Sequence, residues 1–235
     1  METAVKLLSV LPWTDWVAVV GFFAAWVGYA WFSRRLAQRH PSILASTNRF
    51  RHAWMLQTTY REARVLDGLV TQALSSAPSF FASTTILIIG GLLAALGAGD
   101  KASDLVREIP FAARTSELVF DLKLALLLVI YVYAFFRFTW SIRQYTFGAL
   151  LLAAAPEANQ FIDQNLSREE FANRAGRVVG MAAETFNDGL RAYYLAFAAI
   201  AWFFSALIFV LATTIVIYIL YQREFHSDVL DVLNS

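Results

Sequence analysis

Arg137 and Arg143 are the first candidates for chemistry, because they lie at the end of a long apolar run. An ionisable group in hydrocarbon is costly unless it is paired or functional. The two arginines are six residues apart, which separates them by about 120° around a helix. Three interpretations are open: ordinary arginines at the inner membrane edge, a basic ring around a pore mouth, or internal ion pairs with Asp67, Glu62 or Asp188.

Other charges lie near the outer ends of the apolar runs. Asp121 and Lys123 begin the third run, and Asp15 lies near the start of the first. We expect these side chains to reach the lipid headgroups. No acidic or histidine residue lies at the centre of a run, which argues against a proton relay or a cation-coupled transporter.

The sequence contains no recognisable catalytic, cofactor-binding or metal-binding site. We therefore do not expect the protein to be an enzyme. The chain has no cysteine, which removes thiolate nucleophiles, iron–sulfur ligation and cysteine zinc sites. Its three histidines, His40, His52 and His226, fall outside the apolar runs, so they cannot hold a haem within the bilayer. The C-terminal acidic residues around His226 are expected to be a solvated tail, and no nucleotide-binding or hydrolase motif is present.

The composition and four apolar runs define the class of protein. Of 235 residues, 58% are hydrophobic and only 16% are charged, and the net charge of +1 gives no reason to expect a nucleic-acid partner. A hydrocarbon core of about 30 Å needs about 20 helical residues, a length that each run reaches. We therefore predict an all-α protein whose first partner is the lipid bilayer, with a single membrane domain over residues 1–235. The predicted spans are residues 11–32, 79–98, 118–138 and 193–221, and the connections 33–78 and 139–192 are predicted to be cytoplasmic.

The distribution of lysine and arginine predicts the orientation. The two long connections, together with Arg137 at the inner end of the third run, hold thirteen of the 19 basic residues, and the other side holds six. Because basic loops stay in the cytoplasm, this count predicts a multi-pass inner-membrane protein with both termini in the periplasm.

The cytoplasmic connections are predicted to be long amphipathic helices rather than loops. Ser167 and Glu170 fit a capping box, and an apolar stripe at intervals of three and four residues follows it towards the fourth span. The third span is predicted to continue to Ala155, where Pro156 stops it.

The second span carries two small-xxx-small pairs, Gly90 with Ala94 and Gly91 with Ala95. Such pairs let two helix backbones approach closely. They predict helix packing, either within one subunit or at a seam between subunits.

Three separated segments resemble the DUF599 family of four-helix membrane proteins. They are residues 80–93 (FFASTTILIIGGLL, preceded by Asp67), residues 135–145 (FFRFTWSIRQY), and the C-terminal segment with AWFF at 201–204 and YQREFHS at 221–227. The resemblance covers about residues 17–227 and implies the four-helix architecture. It implies no activity, so the polar positions inside these segments, Asp67, Arg137, Arg143 and Gln144, are the first to test as a pore or polar network.

Two functions remain open. The first is a homo-oligomeric channel or passive transport protein with a basic cytoplasmic vestibule, in which Arg137 and Arg143 favour anions. The alternative is an accessory or scaffolding subunit that docks on a larger membrane complex through its amphipathic helices. An enzyme acting on lipid has no reactive constellation to support it.

Overall fold

The computed structural model describes residues 11–37, 39–99 and 116–234, and all regular structure in these ranges is helical. This confirms the predicted all-α class. The described residues form α1 Trp13–Leu36, α2 Ile43–Thr58, α3 Val65–Gly97, α4 Glu117–Ala153, α5 Gln160–Asp163, α6 Arg168–Ile200, a 3-10 turn Ala201–Phe203, α7 Ala206–Phe225 and α8 Asp228–Asn234. Four of them, α1, α3, α4 and α7, are long and apolar enough to cross a membrane.

The chain divides into two compact units. The described residues of Met1–Leu36, Thr85–Ala134 and Arg191–Arg223 form the first unit, and those of Ala37–Thr84, Phe135–Leu190 and Glu224–Ser235 form the second. The helices α3, α4 and α6 each contribute residues to both units, and each is longer than a bilayer requires.

In the first unit, α1 and α7 run parallel. The rings of Phe22 and Phe209 lie 5.1 Å apart, and those of Phe32 and Tyr221 lie 6.3 Å apart. Later residues of α1 therefore contact later residues of α7, so the two helices run in the same direction.

The C-terminal part of α6 runs antiparallel to α1. Arg191, near its entry to the first unit, has its guanidinium 5.5 Å from the Tyr29 ring centre towards the end of α1. Eleven residues later the Trp202 indole donates to the Asp15 carboxylate at the start of α1. The α6–α7 connection is thus a helical hairpin.

This hairpin corrects the predicted fourth span. Residues 193–221 are not one helix: the chain reverses after Ile200, and the Ser205 hydroxyl accepts from the Ile208 amide at 3.1 Å to begin α7. The sequence does not show this reversal, because the residues on both sides of it are apolar. In the first unit α7 ends beside the end of α1, not beside its beginning. The beginning of α1 and the end of α7 therefore lie at opposite ends of the first unit.

The C-terminal residues pack on α2 in the second unit. The Glu224 carboxylate accepts from the Leu44 amide at 3.3 Å in the first turn of α2, and the Ser46 hydroxyl donates to Asn234 at 3.1 Å. A solvated tail was expected here, but Leu230 is buried. The segment after α7 is therefore part of the fold.

One of the two hydrogen bonds of the predicted capping box is observed in the second unit. The Ser167 hydroxyl accepts from the Glu170 amide at 3.1 Å at the start of α6, and the stripe that follows joins a core with Met55, Tyr145 and Phe161. The predicted continuation of the third span is also observed, because α4 ends at Ala153, just before Pro156. Pro78 lies inside α3.

Candidate functional site

One face of α4 presents polar residues to α6 in the second unit. Arg137, Ser141 and Gln144 recur at intervals of four and three residues, which puts them on one side of the helix. The Ser141 hydroxyl donates to the Ala182 carbonyl oxygen at 2.7 Å and joins the two helices at the middle of this face. We call this contact the polar seam and define it by Arg137, Ser141, Gln144, Thr185 and Asp188, all buried or half-buried.

An ion pair occupies one end of the polar seam. The Arg137 guanidinium donates through Nη2 to Oδ2 of Asp188. The Asp188 side chain is only 8% exposed and that of Arg137 is 28% exposed. Of the three interpretations of Arg137, the geometry supports the internal ion pair, and Asp188 is one of the partners proposed from the sequence.

Two buried polar atoms in the polar seam have no hydrogen-bond partner among the described residues. They are Nε of Arg137, a donor, and Oε1 of Gln144, an acceptor. Most buried polar atoms in proteins are paired, because an unpaired one costs about 1–3 kcal/mol. These two atoms lie seven residues apart on α4, or about 10 Å along its axis. Among the described residues, the polar seam therefore has one unpaired donor and one unpaired acceptor, at two different positions along α4.

Close helix contacts enclose the polar seam. A Cβ added to Gly189 would lie within 3 Å of the Phe138 ring, and one added to Gly148 would lie 2.9 Å from Cγ2 of Val179. Both glycines allow α4 and α6 to approach more closely than side chains would permit. The polar atoms between them are therefore shielded from solvent by packing.

Arg143 does not join the polar seam. Its side chain is exposed, and it makes no hydrogen bond or ion pair with the described residues. The angular separation expected from the sequence accounts for this, since Arg137 faces α6 and Arg143 faces away. The two arginines are therefore not equivalent.

Asp67 is the centre of a different network in the second unit. It is fully buried, and its Oδ1 accepts from the Trp54 indole at 2.7 Å and from the Arg61 guanidinium. Its second oxygen, Oδ2, has no hydrogen-bond partner among the described residues. This network joins α2 to the beginning of α3, and none of its hydrogen bonds reaches the polar seam.

Two further arginines brace the ends of helices in the second unit, and sequence reasoning did not single them out. Arg64 donates to the Ala155 carbonyl oxygen at 2.6 Å and to the next carbonyl. Arg168 donates to the carbonyl oxygens of Thr59 and, at 2.6 Å, Ala158. Cations favour the carbonyl-rich ends of helices. Their role is to hold chain connections in place.

Lys123 was expected to reach the headgroups, but it is 3% exposed in the first unit. Its ammonium donates to the Trp202 carbonyl oxygen at 2.9 Å, at the turn between α6 and α7. The rings of Trp202 and Phe203 lie 5.5 and 5.7 Å from the ammonium. The expectation failed because the hairpin brings an unbonded carbonyl to the lysine, and the sequence predicted no hairpin.

The small-residue pairs of α3 face open space. A Cβ added to Gly90 or Gly91 would meet no heavy atom of the described residues within 4 Å, and Ala94 is also exposed while Ala95 is half-buried. Among the described residues of the subunit, none packs against these two glycines. The seam between subunits stays a prediction.

No group of three or more metal-binding side chains occurs among the described residues. A polar cleft of about 390 Å³ lies between α2 and α6 in the second unit, and it is lined in part by Asn48, His52 and Arg177. At its side, burial lowers the pKa of Arg51, an effect that the Tyr145 hydroxyl partly offsets. The guanidinium remains protonated at neutral pH.

These features define an all-α, multi-pass membrane protein with buried charged networks. The family model for the protein of unknown function DUF599 matches residues 17–229, so the chain belongs to this family. The resemblance inferred from the sequence is thereby confirmed. No curated protein and no solved structure matches the chain.

Proposed function

We propose that this protein passively transports small anions across the inner membrane, with Arg137 as the group that binds them. The observation that supports this proposal is the polar seam: a buried ion pair followed by unpaired polar atoms on one helix face. Structural ion pairs are normally completed by further hydrogen bonds. Here the Nε–H donor of Arg137 remains unused among the described residues, so the guanidinium can still donate to an anion.

In this mechanism Asp188 is a resident counter-ion. An entering anion replaces its carboxylate on the Arg137 guanidinium, and the free Nε supplies a second donor. The polar side chains of Ser141 and Gln144 lie at the next two positions along this face of α4. The close packing at Gly148 and Gly189 corresponds to a closed state, so passage requires α4 and α6 to separate.

The orientation follows from the corrected topology and the arginines. We place the start of α1 in the periplasm and the end of α7 in the cytoplasm, which moves Arg223 to the inner side. Fourteen of the 19 basic residues are then cytoplasmic, whereas thirteen are cytoplasmic when both termini are placed in the periplasm. Exposed Arg143 contributes to a basic vestibule on this side.

We further propose that the protein is a homo-oligomer that uses the exposed face of α3. Gly90, Gly91 and Ala94 offer a surface on which another helix backbone fits closely. Native mass spectrometry of gently extracted protein should give a single species of several identical copies. A monomer, or a fixed ratio with a different protein, would contradict this assembly.

Chloride efflux from proteoliposomes tests the transport proposal. Liposomes containing the wild-type protein should lose chloride faster than empty liposomes, and Arg137→Gln should reduce the protein-dependent rate at least about tenfold, as expected for loss of a charged ligand. Arg143→Gln is the matched control on the same helix and should retain most of the rate. Equal efflux from wild-type and empty liposomes would overturn the proposal.

The accessory-subunit alternative has one observation in its favour. Ile162 and Leu166 are 76% and 40% exposed on the connection between α4 and α6, outside the helices that can cross a membrane. They adjoin a cavity of about 370 Å³ lined in part by Phe161 and Phe171. Stoichiometric co-purification of a partner that is lost in Ile162→Ser would favour this function over transport.

A further inference from the structure

An apolar groove lies between α1 and α7 in the first unit. Its volume is about 570 Å³, and its lining is almost entirely apolar: Ala25, Gly28, Tyr29, Phe32, Thr214, Ile217, Tyr218 and Tyr221. Both helices are long and apolar enough to cross a membrane. The groove is therefore open to hydrocarbon, and an apolar chain fits its lining.

A cation lies at one end of this groove. Arg35 follows Gly28 and Phe32 by seven and three residues, so it projects from the same face of α1. Its guanidinium is exposed and stacks 3.9 Å from the centre of the Trp31 ring, which holds it at the helix end. From α7, the Gln222 amide reaches the same end and donates to the Tyr218 hydroxyl at 2.8 Å.

The length of the groove matches one leaflet of a bilayer. From Ala25 to Arg35 is ten residues, or about 15 Å of helix, which is half of a hydrocarbon core of about 30 Å. An acyl chain lying along Gly28 would thus place its headgroup beside Arg35. Basic pockets at the cytoplasmic ends of membrane helices are suited to anionic headgroups.

We propose that this groove is a binding site for one anionic phospholipid of the inner leaflet. The acyl chain occupies the apolar groove, and the headgroup phosphate binds Arg35 with the Gln222 amide beside it. The aromatic side chains Phe32 and Tyr221, whose rings lie 6.3 Å apart, line the groove at the end nearest Arg35. The site is separate from the polar seam and does not depend on the proposed transport.

Glycine substitutions give a matched test. A Cβ added to Gly28 or to Gly21 meets no described atom within 4 Å, so larger side chains can be accommodated at both positions of α1. Gly28→Leu would fill the groove, whereas Gly21→Leu adds the same side chain outside the groove lining. Arg35→Gln removes only the charge from an exposed position.

The measurement is native mass spectrometry of the full-length protein in detergent, titrated with phosphatidylglycerol or with phosphatidylcholine of the same acyl chains. The wild type and Gly21→Leu should retain one phosphatidylglycerol per chain in preference to phosphatidylcholine. Gly28→Leu should lose this retention, and Arg35→Gln should lower the preference about fivefold, the effect of one basic residue at an anionic surface. Equal retention of both lipids by the wild type, or unchanged retention by Gly28→Leu, would overturn the proposal.

Discussion

Replacing Asp188 with Asn leaves the Arg137 guanidinium in the polar seam without its counter-charge. Removing one partner of a fully buried ion pair costs about 3–5 kcal/mol. Arg137 is 28% exposed, and the Asn amide oxygen can still accept its hydrogen bond. We therefore expect a smaller loss of unfolding free energy, about 2 kcal/mol.

Thermal unfolding in detergent, followed by circular dichroism, measures this loss. In a chain of this length, about 2 kcal/mol corresponds to a decrease in Tm of roughly 4–8 °C. Arg143→Gln, on the same helix but exposed and without a partner among the described residues, should change the unfolding free energy by less than about 0.5 kcal/mol.

A double-mutant cycle separates the ion pair from unrelated effects. Arg137→Gln together with Asp188→Asn should be less destabilised than the sum of the single variants, with a coupling of at least about 0.5 kcal/mol. Additive effects would refute a direct pair. So would an equal loss in Asp188→Asn and Arg143→Gln.

Three further changes test other parts of the fold. Gly189→Ala should destabilise the protein by about 1–3 kcal/mol, because its Cβ would enter space occupied by an aromatic ring of α4. Lys123→Met should lower the unfolding free energy by about 1–3 kcal/mol, because the Trp202 carbonyl loses its buried donor. Thermal unfolding measures the effect of Gly189→Ala and of Lys123→Met. Since the chain has no cysteine, Trp13→Cys and Val229→Cys, both at exposed positions, can be labelled singly in cells with a membrane-impermeant maleimide. Trp13→Cys should react in intact cells and Val229→Cys only after permeabilisation.

Each of these changes has a control. Gly21→Ala lies in open space and should leave Tm within a degree or two. Thr214→Val removes only an exposed hydroxyl that donates to its own helix, so it should be nearly neutral beside Lys123→Met. Labelling of both cysteines from the same side of the membrane would contradict the hairpin topology.

Local sequence signals were sufficient for the long helices. The hydroxyl of Ser167 and the proline at 156 act on neighbouring residues, so capping and termination could be predicted from spacing alone. The hairpin after Ile200 could not, because Ser205 is an ordinary residue in an apolar run and becomes a cap only when the chain has already turned. The spacing of apolar residues does not indicate where the chain reverses direction within an apolar run.

The candidate site could be predicted only in part, because some of its contacts join residues far apart in the sequence. The spacing of Arg137 and Gln144 puts both on one face of α4, but their environment depends on α6, whose Asp188 lies 51 residues away in the chain. Asp67 was selected as a polar position and is the centre of a separate network, since its partners lie on α2 and the turn that follows. Pairings of this kind depend on tertiary packing.

The most direct test of the transport mechanism is chloride efflux from proteoliposomes containing Asp188→Asn, normalised to the folded protein recovered. If the carboxylate competes with the transported anion for Arg137, its removal should raise efflux above the wild-type rate, while Arg137→Gln should abolish it. An Asp188→Asn variant that is folded but as inactive as Arg137→Gln would contradict the mechanism, because the ion pair would then be needed intact.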